Sequence, residues 1–245
     1  MNLRPFHIGW LGANSAPAQS MGHPSAYNPV VVPLRLCVLI SGSGSTLRNI
    51  LERIADGRLR DLQVVGVIAS RQCDGLKYAA DYAVPASVIP RSALADTSFD
   101  PGEFSARVTG QLEQWQPDLV VLGGFLSQYL VPTQFEAKVI NIHPALLPSF
   151  GGVGMYGDRV HAAVLASGTK VSGCSVHFVT DDYDGGPVIA QRTVPVLEGD
   201  TAESLGARVR EAERELYPTV IQWFADGRVK LEDGKVEVAD RNLLG

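Results

Sequence analysis

Asn141 and His143 stand two residues apart in Val139-Ile140-Asn141-Ile142-His143-Pro144. The apolar run from Val139 to Ile142 reads as a strand, on which residues two apart share a face, and Pro144 ends its ladder. An amide beside an imidazole at a strand's carboxyl end suits carbonyl chemistry. The amide donates to a developing oxyanion while the imidazole moves protons. The same spacing also fits a histidine that does no more than satisfy a neighbouring polar group. A second candidate is Ser41-Gly42-Ser43-Gly44-Ser45-Thr46, whose glycines let backbone amides approach a ligand and whose hydroxyls can donate to it. A helix start behind such a loop adds orphan amides and the positive end of its dipole, a combination that suits phosphate. No Gly-Lys-Ser/Thr follows, so this is not a triphosphate loop. The third glycine of a dinucleotide fingerprint is replaced by Leu47, and Ser70 and Arg71 stand where an acid would hold the ribose. The alternative is an ordinary turn in which Ser43 or Ser45 caps the helix.

A third cluster, Asp181, Asp182 and Asp184, precedes Gly185-Gly186. It lacks the twelve-residue pattern of a calcium loop. Either it is a solvated turn, or a single aspartate folds inward to raise the pKa of His143 by charge pairing. His161 on a helix and His177 on a strand read as structural. No His, Cys and carboxylate cluster has metal spacing. Gly42-Ser43-Gly44 does not form the nucleophile elbow of a hydrolase.

The elements that must position these groups alternate between strand and helix. Leu34 to Ile40 is a nearly continuous apolar run, as in a strand covered on both faces. Leu47, Ile50, Leu51 and Ile54 form the stripe of the following helix. Strands are expected at Val64–Ala69, Ala86–Ile89, Leu119–Leu122, Val139–Ile142, Val171–Val179 and Val188–Val196. Helices are expected over residues 74–83, from the cap Asp100 with Pro101 to about Trp115, and near Asp158–Ala166. A last helix, opened by Asp200 with Glu203, runs past Pro218 towards Phe224. Asp233-Gly234 between two alternating runs predicts a two-residue hairpin. The fold class is therefore α/β: a doubly wound, mostly parallel sheet with helices on both faces and a C-terminal hairpin.

Composition bounds the remaining possibilities. The 245 residues are 45% apolar and 19% charged, which excludes a largely disordered chain. A formal net charge of −5 implies no basic face and argues against nucleic acid as a partner. No apolar run approaches the roughly 18–20 residues of a membrane span. Three scattered cysteines fit a reducing, cytoplasmic setting. Residues 1–33 hold 5 of the 15 prolines and one charge, Arg4. They are expected to be a flexible tail, with residues 34–245 forming a single domain.

Ser41 to Ser45, Asn141-Ile142-His143-Pro144-Ala145-Leu146-Leu147-Pro148, and Ser175-Val176-His177-Phe178-Val179 through Asp184-Gly185-Gly186-Pro187 occur together and in order. With Tyr217-Pro218 and Trp223-Phe224-Ala225-Asp226-Gly227-Arg228 they make the chain closely resemble the glycinamide ribonucleotide formyltransferases of purine synthesis, from about Leu34 to Val229. The resemblance implies the formyltransferase fold and transfer of a formyl group from the co-substrate 10-formyltetrahydrofolate to the glycinamide amine, without a metal. It implies Asn141, His143 and Asp184 as catalytic residues, and Gly44, Ser45 and Thr46 on the ribonucleotide phosphate. It also implies Glu213 on the same substrate and Leu126 with Asn141 beside the folate. From spacing alone Glu213 borders the apolar stripe of the last helix, and a surface pair with Arg210 is an equal reading. Many members carry Gly-Phe/Tyr-Met-Arg where this chain has Gly124-Phe125-Leu126-Ser127-Gln128-Tyr129, lacking the Arg and one residue longer. The glycine-rich run Phe150 to Gly157 is expected to be a mobile cover. Formyltetrahydrofolate deformylase carries similar motifs but needs no phosphate site. Transfer to methionyl-tRNA would want a basic face. A phosphoribosyl-ligand binding module on the same fold is the non-enzymatic alternative.

Overall fold

A computed structural model of the chain describes residues 32–91 and 99–240. Apart from Val32 and Pro33, the expected tail lies outside the described residues. The central sheet has seven strands: β1 (Leu34–Ile40), β2 (Leu62–Ala69), β3 (Ala86–Val88), β4 (Leu119–Leu122), β5 (Val139–His143), β6 (Val171–Phe178) and β7 (Val188–Pro195). Their order is β3-β2-β1-β4-β5-β6-β7. β1 to β5 run parallel, whereas β6 is antiparallel to both β5 and β7.

Alternation along β1 explains why helices are needed on both sides. Leu36, Val38 and Ile40 join one core cluster while Cys37 and Leu39 join the other. The first cluster takes Leu47, Ile50 and Leu51 of α1 (Ser45–Ala55), Val164 of α4 (Asp158–Ala166) and the stripe of α5 (Ala202–Ala225). The second takes Phe104, Val108 and Leu112 of α3 (Pro101–Trp115). A short α2 (Leu76–Asp81) lies between β2 and β3. The expected Asp100 cap is present, accepting from the amides of Gly102 and Glu103.

α5 departs from expectation at its start. Its cap is Thr201 rather than Asp200, because Thr201 and Ser204 form a reciprocal capping box. Asp200 instead accepts from the Leu197 amide and the Arg208 guanidinium. Pro218 inside α5 deprives the Arg214 carbonyl of its helical donor. Asn49 Nδ2 of α1 supplies a replacement at 2.9 Å, so the proline becomes a tie between α1 and α5. At the C-terminus β8 (Val229–Glu232) and β9 (Lys235–Val238) form the expected hairpin. Asp233 and Gly234 both have positive φ, as a two-residue turn of this hand requires. Among the described residues no helix is long and apolar enough to cross a membrane.

From β1 the chain moves outward to β2 and β3, then returns past β1 to β4 and β5 on the other side. Winding therefore reverses between β1 and β4, and open α/β sheets bind ligands in the crevice beyond the carboxyl ends of such strands.

Candidate active site

A cavity of about 440 Å³ occupies that crevice. The loop after β1 forms one wall, the segment after β4 a second, and the end of β5 its floor; the turn between β6 and β7 and one face of α5 complete it. Gly44, Ser45, Thr46, Leu126, Asn141, His143, Asp184 and Glu213 all line it, so every expected site residue is brought to one place.

The Ser-Gly loop does not end in a serine cap. Gly44 is the N-cap of α1, with φ 70° and ψ 24°, and no side chain satisfies the first-turn amides. A Cβ at Gly44 would lie 2.5 Å from the Gly75 Cα, so glycine is required by contact as well as by φ. The Gly75 amide donates to the Gly42 carbonyl at 3.0 Å and holds the loop from behind. Uncapped amides at a helix start, with two hydroxyls beside them, can receive an anion.

Asn141 and His143 share a face of β5, as their spacing predicts. Opposite them on β6, Asn141 pairs with His177 and His143 with Ser175. His177 is therefore not a remote structural residue. Its Nδ1 lies 2.8 Å from the Phe178 carbonyl and carries the proton donated there. Its Nε2 lies 3.2 Å from Asn141 Nδ2 and so stands beside the amide. Cross-strand pairing is the signal that would have found it, once β6 is known to run antiparallel to β5.

Of the three aspartates, Asp181 and Asp182 are exposed and Asp184 turns inward. Its φ of 54° is one that aspartate tolerates better than most residues. Oδ2 sits 3.3 Å from His143 Nδ1 and accepts from the Gly152 amide at 3.0 Å, while Oδ1 is 3.6 Å from His177 Nε2. Burial alone would raise the Asp184 pKa. His177, His143 and the Gly152 amide outweigh it and hold the group below the usual carboxylate value.

His143 corrects a simple expectation. Its Nε2 lies 2.8 Å from the Phe150 carbonyl and its Nδ1 faces Asp184, so both nitrogens meet acceptors. Asp184 and Phe150 do pull its pKa up, as charge pairing predicts. Desolvation is the larger effect and, with His177 nearby, leaves the pKa below 6.5. Burial therefore favours the neutral ring. Phe150 belongs to the glycine-rich segment, and Gly152, Gly154, Met155, Tyr156 and Gly157 line the cavity. The expected cover thus touches both His143 and Asp184.

On α5, burial pushes the Glu213 carboxyl up to about 7, against the opposing pull of Arg210. Arg210 also lines the cavity, three residues before Glu213 and hence on the same helix face. That spacing was the available signal for it. His161 is buried against Gly206 of α5 and lines the same wall. Among the described residues no group of three or more His, Cys, Asp or Glu side chains is placed to hold a metal ion.

Residues 34–221 match the family of proteins described as formyl transferase. The chain is 39% identical over 199 residues to a chloroplastic phosphoribosylglycinamide formyltransferase of Vigna unguiculata, covering 80% of this chain and 62% of that one. It thus spans less than two thirds of that relative's length. With the phosphoribosylglycinamide formyltransferase of Escherichia coli (strain K12) it shares 36% identity, covering 82% of this chain and 91% of the relative. A glycinamide ribonucleotide transformylase structure from Symbiobacterium toebii superposes with a TM-score of 0.78 at 37% identity, over 90% of this chain and all of that one. A formyltetrahydrofolate deformylase from Pseudomonas syringae is more distant, with a TM-score of 0.73 at 27% identity over 86% of this chain and 67% of that one. By the family match and the extent of these relatives, the chain belongs to the formyl transferase family, among its phosphoribosylglycinamide formyltransferases.

Proposed function

We propose that this protein transfers a formyl group from 10-formyltetrahydrofolate to the amine of glycinamide ribonucleotide, the formylation of that intermediate in purine synthesis, in the cytoplasm. One observation carries the reading. An uncapped helix start suited to phosphate opens into the same cavity as an amide–imidazole–carboxylate array suited to acyl transfer.

The glycinamide nitrogen attacks the formyl carbon, forming the new C–N bond and a tetrahedral oxyanion to which Asn141 donates. Neutral His143 takes the proton lost by the attacking nitrogen and becomes an imidazolium beside Asp184. It then returns that proton to N10 of the folate as the C–N10 bond breaks. Gly44, Ser45 and Thr46 hold the phosphate, Glu213 contacts the ribonucleotide, and Leu126 lines the folate side. No metal takes part in this scheme.

The deformylase likeness sets the competing reading, in which water accepts the formyl group. Turnover of 10-formyltetrahydrofolate is to be assayed with and without glycinamide ribonucleotide. Formyl transfer that depends on the ribonucleotide is expected; formate release at the same rate without it favours the deformylase, and no turnover in either case removes both.

A further expected result concerns Glu213. With its pKa near 7, ribonucleotide affinity should change with pH around neutrality, following ionisation of this group. Glu213→Gln should flatten that dependence and weaken binding by about tenfold at pH 8, as loss of a hydrogen bond to a charged partner does. Calorimetric titrations between pH 6 and 8 check it, and an unchanged pH profile in the variant would exclude Glu213 as its source.

A further inference from the structure

Where the central sheet ends, one residue takes over the ties that its ladder no longer makes. The last β1–β2 pair is Ile40 with Ala69, and the last β1–β4 pair is Leu39 with Leu122. Ser41 follows immediately and is buried. Its Oγ accepts the Leu126 amide at 3.0 Å and shares a hydrogen bond with Ser70 Oγ, 2.6 Å away. Its carbonyl accepts from Arg71 Nε at 2.6 Å.

Ser41, Ser70 and Arg71 do not themselves line the cavity, but these bonds bear on two of its walls. Leu126 belongs to the segment after β4. Farther along, that segment is fastened by the Leu130 amide on Ser105 and by the Tyr129 hydroxyl on Thr109. At its cavity end the Leu126 amide is held by the Ser41 hydroxyl. The Ser41 carbonyl instead begins the phosphate loop. Arg71 braces it there, and Gly75 braces the Gly42 carbonyl one residue on.

We propose that Ser41 is a positioning residue serving the two substrates through different atoms. Its hydroxyl holds the wall against which the folate lies, and its carbonyl, with Arg71, holds the loop that receives the phosphate. The assignment rests on the formyl-transfer reading for the identity of the two ligands. Its content is that the two functions separate: a side-chain change at 41 reaches one substrate, and a change at 71 reaches the other.

Affinities for 5-formyltetrahydrofolate and for glycinamide ribonucleotide are to be measured by calorimetry on wild type, Ser41→Ala, Ser70→Ala and Arg71→Ala, with KM, kcat and Tm alongside. Ser41→Ala, which strands the Leu126 amide, is expected to weaken the folate about 5- to 20-fold and the ribonucleotide less than about twofold. Arg71→Ala should show the reverse preference. Ser70→Ala keeps the acceptor of Leu126 and should leave folate affinity near wild type; Ser41→Thr, which restores the hydroxyl, should recover most of the loss. A merely structural role would lower Tm and move both affinities together or neither, and that result overturns the proposal. So does a Ser70→Ala phenotype equal to that of Ser41→Ala. If Ser41→Ala does not fold, Arg71→Ala decides: equal loss of both ligands overturns it. Wild type that binds neither ligand refutes the functional reading itself, whereas wild type that binds both, with no separation in the variants, refutes this inference alone.

Discussion

His143→Ala should lower kcat by about 10²- to 10⁴-fold, the range lost with a positioned general acid–base group. Its substrate affinities should stay within a few fold of wild type. The ring is buried at the end of β5, fixed between the Asp184 carboxylate and the Phe150 carbonyl. Neither the phosphate loop nor the Leu126 wall depends on it for a hydrogen bond. On the proposed mechanism its loss therefore removes the proton transfer between the attacking nitrogen and N10 and leaves both binding walls standing. An interaction made only in the transition state reduces kcat and kcat/KM together. Steady-state kinetics paired with calorimetric affinities make the comparison. A variant that binds poorly but turns over normally at saturation would reassign His143 to substrate binding. Wild type that binds both ligands yet shows no activity for the substitution to remove would favour a binding module on this fold. Some loss of stability is expected as well, since Asp184 and Phe150 lose a partner; a Tm measurement separates this from the kinetic effect.

Local signals carried most of the architecture. The helix Asp158–Ala166 and the Asp100–Pro101 start agree with caps and stripes read from neighbouring residues. The Asp233-Gly234 hairpin was legible because that turn needs two residues that tolerate positive φ. Failures of local reading occur where the deciding contact is distant in sequence. Asp200 reads as the start of the last helix, but Arg208, eight residues on, claims the aspartate and Thr201 caps instead. Gly44 is fixed by Gly75, thirty-one residues away, so local residues left a serine cap open as the alternative. His177 enters the site only because β6 runs antiparallel to β5, a direction that apolar runs do not encode. The charge pairing of His143 with Asp184 followed from residue types. The stronger opposing effect of burial required knowing how deeply the crevice encloses the ring.

Burial of that depth makes Asp184→Asn the second large effect. Asn is the informative replacement because the backbone at 184 has φ 54°, which asparagine tolerates more readily than most residues. Its amide can still offer an oxygen to the Gly152 amide and to His143, so geometry is largely kept while the charge is removed. Asp184 is the first of the groups that raise the His143 pKa against desolvation. Without it the pKa falls further, and in the proposed mechanism the imidazolium formed when His143 carries the amine proton loses its counter-charge. An opposite charge at this range is worth about one to three pKa units, so kcat should drop by about 10- to 1,000-fold. The pH dependence has a definite sign. On the proposed mechanism the reaction needs neutral His143, so with saturating ribonucleotide kcat/KM for the folate is full above its pKa and declines as pH falls through it; that limb lies below pH 6.5 in wild type. In Asp184→Asn the limb should move to still lower pH while the plateau drops. Stability responds separately: the lowered Asp184 pKa contributes stability above the unfolded carboxylate pKa, and this is lost as pH falls through the folded value. The variant lacks that acid-side loss. Profiles of kcat/KM on both proteins decide the matter. A limb that stays in place, or moves towards higher pH, would mean that the Asp184 charge does not govern the proton on His143.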